Sequence, residues 1–230
     1  MNNLLLLLPP AINVIVTGLF AAVVARQYFS RHRVYQLYWT IAITMAFLAT
    51  VAYVFMLLVQ PTSSSGILLF RVYYILGILM PAWLGLGSIA LVSSERITRM
   101  SLSLLALLSL IAVTFILDAH VNLQKLGQVA GTPGTGTLQP GPWLVMTIIL
   151  NTLGVVAVGG IAIYSGWKLV RRQENMADFR TSNVLRANVL ILAGALLNGA
   201  AGTLARFLGV DNTFWLIMSA GWVVLFAGVL

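Results

Sequence analysis

The side chains in this sequence that can do chemistry are few, and their identities remove most kinds of it. There is no cysteine, which excludes disulfide scaffolds, thiol nucleophiles and Cys-ligated metals. The lysines are Lys125 and Lys168, both outside the last apolar stretch, Thr213 to Leu230. A retinal pigment, which needs a Schiff-base lysine in its last helix, is therefore not expected. His32 and His120 fall in breaks on opposite sides of the apolar stretches, so they cannot form a bis-histidine haem or a zinc site. The acids Glu95, Asp118, Glu174, Asp178 and Asp211 are all peripheral. Proton relays and paired-aspartate proteolysis need carboxylates at membrane depth, so neither is expected. No catalytic residue, metal ligand or cofactor emerges, and the expected protein is not an enzyme.

A polar set remains that can bind rather than react. Arg71 and Arg206 lie toward one edge of their apolar stretches, and a guanidinium fork suits a carboxylate or phosphate. They can instead snorkel to headgroups or pair with Asp118 or Asp211. Asn13, Asn151 and Asn198 fall at comparable depths, roughly 12–15 Å below that edge at ~1.5 Å per helical residue. They serve either as glue between helices or as a pocket floor beneath Arg71, Tyr73, Tyr74 and Arg206. Gly77, Pro81 and Gly85 make a small-residue row with an expected kink at Pro81, and Gly199 lies in another row.

These residues need membrane helices to position them. Of the 230 residues 60% are hydrophobic and 8% charged, too few polar groups to cover a water-soluble globule. The net charge of +8 is too dispersed for a nucleic-acid face. The fold class is therefore all-α: a polytopic integral membrane protein, one transmembrane domain over 1–230. Seven apolar stretches of about the ~20 residues that cross hydrocarbon are expected at about 4–26, 37–59, 67–92, 100–117, 143–167, 187–208 and 213–230. Their continuity argues against a β-barrel.

With the N-terminus outside and the C-terminus inside, ten of the 13 basic residues fall in inner segments. These are Arg26, Arg31, Arg33, Arg96, Arg99, Lys168, Arg171, Arg172, Arg180 and Arg186; Arg71, Lys125 and Arg206 fall outward. The start, Met1-Asn2-Asn3, has no basic n-region, so the first stretch is read as a retained helix. Trp39, Trp143, Trp167 and Trp215 fall near stretch ends, as an interfacial belt would; Trp83 and Trp222 lie deeper.

The outer segment 118–142, rich in Gly, Thr and Pro, is expected to be mobile or irregular, as a connector or a lid. The inner segment 168–186 is expected to extend the fifth stretch or to lie on anionic lipid. Both the first three and the last three stretches begin near prolines, Pro9-Pro10 and Pro140/Pro142, which is too little to establish a repeat.

Residues 33–99 resemble the seven-helix N-terminal sensor region of bacterial sensor histidine kinases. The resemblance rests on Tyr35-Gln36-Leu37-Tyr38-Trp39, on Leu69-Phe70-Arg71-Val72-Tyr73-Tyr74-Ile75-Leu76-Gly77, on Pro81-Ala82-Trp83-Leu84 and on the basic segment that follows. The stretch is also similar to uncharacterised bacterial seven-helix membrane proteins. The resemblance implies a bacterial inner-membrane protein with a sensor-like role. A sensor kinase continues into a soluble catalytic region, whereas this sequence stops at Leu230 inside an apolar run. It is then a stand-alone unit, a fragment, or a module signalling through a separate partner. The expected function is a receptor or sensor module with an outward-facing ligand or lipid pocket. The alternatives are an accessory subunit of a membrane complex, with other subunits or a second copy as partners, and a small transporter.

Overall fold

The computed structural model describes residues 3–172, 179–209 and 211–230. Glu174 and Asp178 lie outside the described residues, as do the side chains of Arg172 and Arg180. The described chain is helical, with no β-strand among the described residues. Its elements are α1 (Asn3–Arg31), α2 (Val34–Leu58), α3 (Ser64–Val92), α4 (Glu95–Asp118), the short α5 (Leu123–Leu126), α6 (Pro142–Arg172), α7 (Phe179–Leu208) and α8 (Phe214–Val229). A 3-10 turn, Asp211–Thr213, precedes α8.

Six helices are long and apolar enough to cross a membrane, as in a multi-pass membrane protein. The last apolar stretch differs: α8 has 16 residues and falls short of that length. Asp211 and Thr213 are spent on the turn before it, which delays its start. The other helices exceed their apolar cores. Residues 95–99, expected as a break, form the first turn of α4, where Glu95 favours the positive helix end and Arg99 pairs with it one turn on. Basic residues likewise extend α6 to Arg172. Hydropathy marks the stretch suited to hydrocarbon; helix formation continues past it because Glu, Arg and Lys are good helix formers.

Six helices close a ring. α1 packs between α2 and α8, α2 on α3, α3 on α6, α6 on α7 and α7 on α8. α4 stands outside the ring against α3 and α6. The tightest crossing is between α3 and α6. A Cβ on Gly154 would lie 2.3 Å from the Pro81 carbonyl carbon, and one on Gly85 would lie 3.1 Å from the Gly154 Cα. Small residues let these backbones touch. The expected row is thus only partly used: Pro81 and Gly85 meet α6, but Gly77 faces open space. Gly199 makes ordinary contact with Val155, while Gly194 meets the α8 backbone at Gly221 and Leu225. α3 runs through Pro81 as one helix.

Candidate functional site

Of the residues singled out from the sequence, Arg71, Tyr73, Tyr74 and Arg206 lie at the end of the bundle where α3 begins and α4 ends. The segment between α4 and α6, expected to be irregular or mobile, is folded into a plug there. Asn122 caps α5, its side chain accepting from the Lys125 N–H at 3.1 Å. Backbone bonds from Asn122 N to Thr137 O (2.8 Å) and from Gln139 N to His120 O (3.0 Å) close the segment on itself. Gly131, Gly134 and Gly136 have φ of 81°, 76° and 74°, a region L side chains avoid, so the tight turns need them. Leu126, Val129 and Leu138 are buried beneath. The Gly/Thr/Pro composition that suggests a mobile or irregular segment is what these turns require.

The plug turns its carbonyls down onto the ring, and aromatic side chains receive them. The Tyr53 hydroxyl lies 2.7 Å from Thr132 O and 2.9 Å from Val129 O; its one proton serves one of them at a time. Trp215 Nε1 donates to Thr132 O at 3.3 Å, and the Tyr73 hydroxyl to Pro133 O at 3.1 Å. Thr135 Oγ1 lies 2.9 Å from Asp211 Oδ1. Each bond satisfies a polar group in an apolar setting, where an unpaired one would be costly.

Arg206, on α7, donates to the Tyr74 hydroxyl at 2.8 Å, with its guanidinium 5.4 Å from the centre of the Trp143 ring. Asp211, considered as its partner, takes Thr135 instead. Tyr73, Tyr74 and Arg206 therefore meet, as the sequence reading grouped them.

Arg71 makes no hydrogen bond to that group among the described residues and lines a crevice of about 530 Å³. Its Nη2 makes one long contact, 3.4 Å, to Ala119 O, and its buried Nε has no acceptor. The crevice is lined also by Asp118, His120, Asn122 and Gln139, with Ile67 and Leu123 as apolar walls. Asp118 does not pair with Arg71: among the described residues the one ion pair is Arg99–Glu95. Spare guanidinium donors on an open crevice suit an acceptor from outside, and an anion best.

The asparagines are distributed. Asn13 Nδ2 donates to Thr50 Oγ1 on α2 at 2.9 Å. Asn198 Oδ1 rests against Gly221 of α8, and neither it nor Asn151 Oδ1 has a hydrogen-bond partner. No hydrogen bond joins any two of them among the described residues, and α1 does not stand next to α6 or α7 in the ring.

Two belt assignments are corrected. Trp143 and Trp215 are 4% and 2% exposed, with their N–H groups on the Gln139 and Thr132 carbonyls. The plug covers the surface they would otherwise anchor to. Trp167 is exposed and stacks under Arg171 at 4.0 Å, as an interfacial pair would. Sequence reasoning missed Tyr53, Thr132 and Gly154. An isolated tyrosine in an otherwise apolar stretch was the available signal for Tyr53; Gly154 carried none until its neighbour was known. A scan against protein-family models, a search of curated proteins and a search of solved structures each return no match to this chain.

Proposed function

We propose that this chain is a non-enzymatic receptor- or sensor-like module of a bacterial inner membrane. α8 serves as a seventh span, the N-terminus is outside and the C-terminus inside. Its ligand is an anionic small molecule or lipid headgroup, held in the crevice at Arg71. The observation that carries this reading is the state of that guanidinium: partly buried, on an open crevice, with one long hydrogen bond and an unpartnered Nε. A buried cationic donor without an acceptor is costly, and a phosphate or carboxylate oxygen would relieve it. The inward-sorted arginines and the exposed Trp167–Arg171 pair support anionic lipid contact at the inner leaflet.

The test is the phosphate and lipid content of purified protein, read by native mass spectrometry. Arg71→Ala is expected to lose the bound species. Arg206→Ala is expected to keep it, because Arg206 is engaged by Tyr74 and Trp143. Equal content in wild type and Arg71→Ala would remove the proposal. An accessory-subunit reading has its own support in α4, which stands outside the ring and exposes Leu104, Leu107 and Leu110 on one face. A stoichiometric partner chain in the same spectra would favour it.

A further inference from the structure

The half of the bundle away from the plug contains a void, and every ring helix contributes to its wall. Eight of the nine wall residues match in pairs, and Trp39 of α2 is left over. The shift along the chain that carries Phe20 of α1 onto Val158 of α6, both on the void, also carries Asn13 onto Asn151. The shift that carries Ile43 of α2 onto Ile191 of α7 also carries Thr50, the partner of Asn13, onto Asn198. The shift that carries Leu84 of α3 onto Leu225 of α8 carries Ser88 onto Val229, again both on the void. It also carries the aromatic pair Tyr73-Tyr74 onto Phe214-Trp215. Each shift is set by one pair on the wall and then lands on a second matching pair.

The helix packing has the same symmetry. α1 meets α2 as α6 meets α7, α2 meets α3 as α7 meets α8, and α3 meets α6 as α8 meets α1. α4 is left over as the connector outside the ring. This is the arrangement of parallel three-helix repeats around an axis along the membrane normal, a class whose solute sites lie between the repeats.

We propose that α1–α3 and α6–α8 are two copies of one three-helix unit that part at the void end and admit a small, uncharged, mainly apolar solute to the axis between them. Hydrogen bonding at the two ends supports the direction. Every hydrogen bond between the two units, direct or through the plug, lies in the plug half among the described residues. Arg206 reaches Tyr74, Ser219 lies 3.5 Å from Pro9 O, and Tyr53 and Trp215 share the Thr132 carbonyl. Among the described residues the two units meet at the void end through apolar contact alone. The lining sets the solute class. It carries no charge; the Ser88 hydroxyl is bonded to Leu84 O of its own helix, and the Trp39 indole N–H has no acceptor. An ion there would lack partners, whereas a neutral molecule accepting one hydrogen bond would not. As it stands the void holds about 10 Å³, room for one water, so this is the closed form. The inference goes beyond the receptor reading and rests on other residues.

The cysteine-free chain allows a direct test. Leu84→Cys and Leu225→Cys, at equivalent wall positions, are reconstituted in vesicles beside Leu107→Cys, which faces lipid on α4. A thiol in hydrocarbon stays protonated and inert, so reaction reports access from water. The small neutral reagent methyl methanethiosulfonate is expected to modify both wall cysteines at rates within about threefold of each other. Those rates should exceed that of Leu107→Cys at least tenfold. A charged sulfonatoethyl reagent should modify them at least tenfold more slowly than the neutral one. Wall rates no higher than that of Leu107→Cys would overturn the opening, and reaction at one wall position alone would overturn the equivalence. Equal rates with the charged reagent would overturn the solute class. Ser88→Cys, nearly isosteric, repeats the measurement should either leucine variant elute as aggregate.

Discussion

Tyr53 and Asn13 are buried polar side chains on adjoining helices, and the bonds around them lead to different consequences of removal. Tyr53→Phe removes the one proton that two plug carbonyls share, and both keep other donors: Trp215 Nε1 for Thr132 O, and the Thr132 N–H and hydroxyl for Val129 O. No carbonyl is stranded, but a bond between α2 and the plug is lost, and the expected loss is about 1 kcal/mol, read as a lower midpoint of unfolding in detergent. Asn13→Ala removes a donor from Thr50, but the Thr50 hydroxyl keeps its own bond to Ala46 O at 2.9 Å. Asn13 also holds an unpaired Oδ1, which its removal relieves. The expected loss is then no more than about 0.6 kcal/mol, the average for hydrogen bonds between membrane helices. The reverse order of the two midpoints would contradict this assignment of bonds. Arg71 and Arg206 divide in the same way: one has spare donors, the other has a hydroxyl and an aromatic face, and loss of bound anion is expected from the first alone.

Among the elements, the α3–α6 crossing turns on Gly154 and Gly85, with Gly77, off the crossing, as the contrast. Gly154→Ala would place a Cβ 2.3 Å from the backbone of Pro81, so the helices must separate. The expected cost is about 1–3 kcal/mol or more, as for overpacking. Gly85→Ala meets Ala157 and Gly154 at 3.0–3.2 Å and is expected to cost less. Gly77→Ala meets nothing within 4 Å and replaces a poor helix former with the best one. It is expected to stabilise α3 by up to about 1 kcal/mol. Ranking the three variants by resistance to SDS unfolding checks the crossing, and equal ranks would refute it. The plug is a second element whose behaviour follows from local geometry. Gly134 combines φ of 76° with a Phe70 ring atom that would lie 2.9 Å from an added Cβ. Gly134→Ala is therefore expected to loosen the plug, seen as faster amide exchange at Leu126 and Leu138.

At the scale of the whole molecule, a helix of 16 residues at ~1.5 Å each spans about 24 Å, short of a hydrocarbon core of ~30 Å. If α8 is a seventh span, the bilayer thins around it or the 3-10 turn enters the interface. Single cysteines decide this. Leu123→Cys and Thr213→Cys should label from one face of the membrane, and Met100→Cys together with a C-terminal tag from the other. A C-terminal tag on the Leu123 side would return the bundle to six spans and place the far end of α8 on that face.

Much was legible before any coordinates. The low charge and the placing of nearly all charged residues at the ends of the apolar stretches point to a helical membrane bundle, because burying charge in hydrocarbon is costly residue by residue and shows directly in the composition. The grouping of Tyr73 and Tyr74 with Arg206 was also readable, since depth along a helix follows from residue number. Rotation about each helix axis and the neighbour it selects were not, and these needed the tertiary structure. Gly77 and Gly85 look alike in sequence, yet only Gly85 faces α6. The plug reads as a mobile or irregular segment because its glycines answer to turns that are held only where Tyr53, Tyr73 and Trp215 lie beneath to bond the carbonyls. The pairing of Phe20 with Val158 and of Leu84 with Leu225 has no trace in a hydropathy profile. In lipid every helix is apolar all round, so hydropathy does not say which face turns inward; close packing of particular side chains decides that.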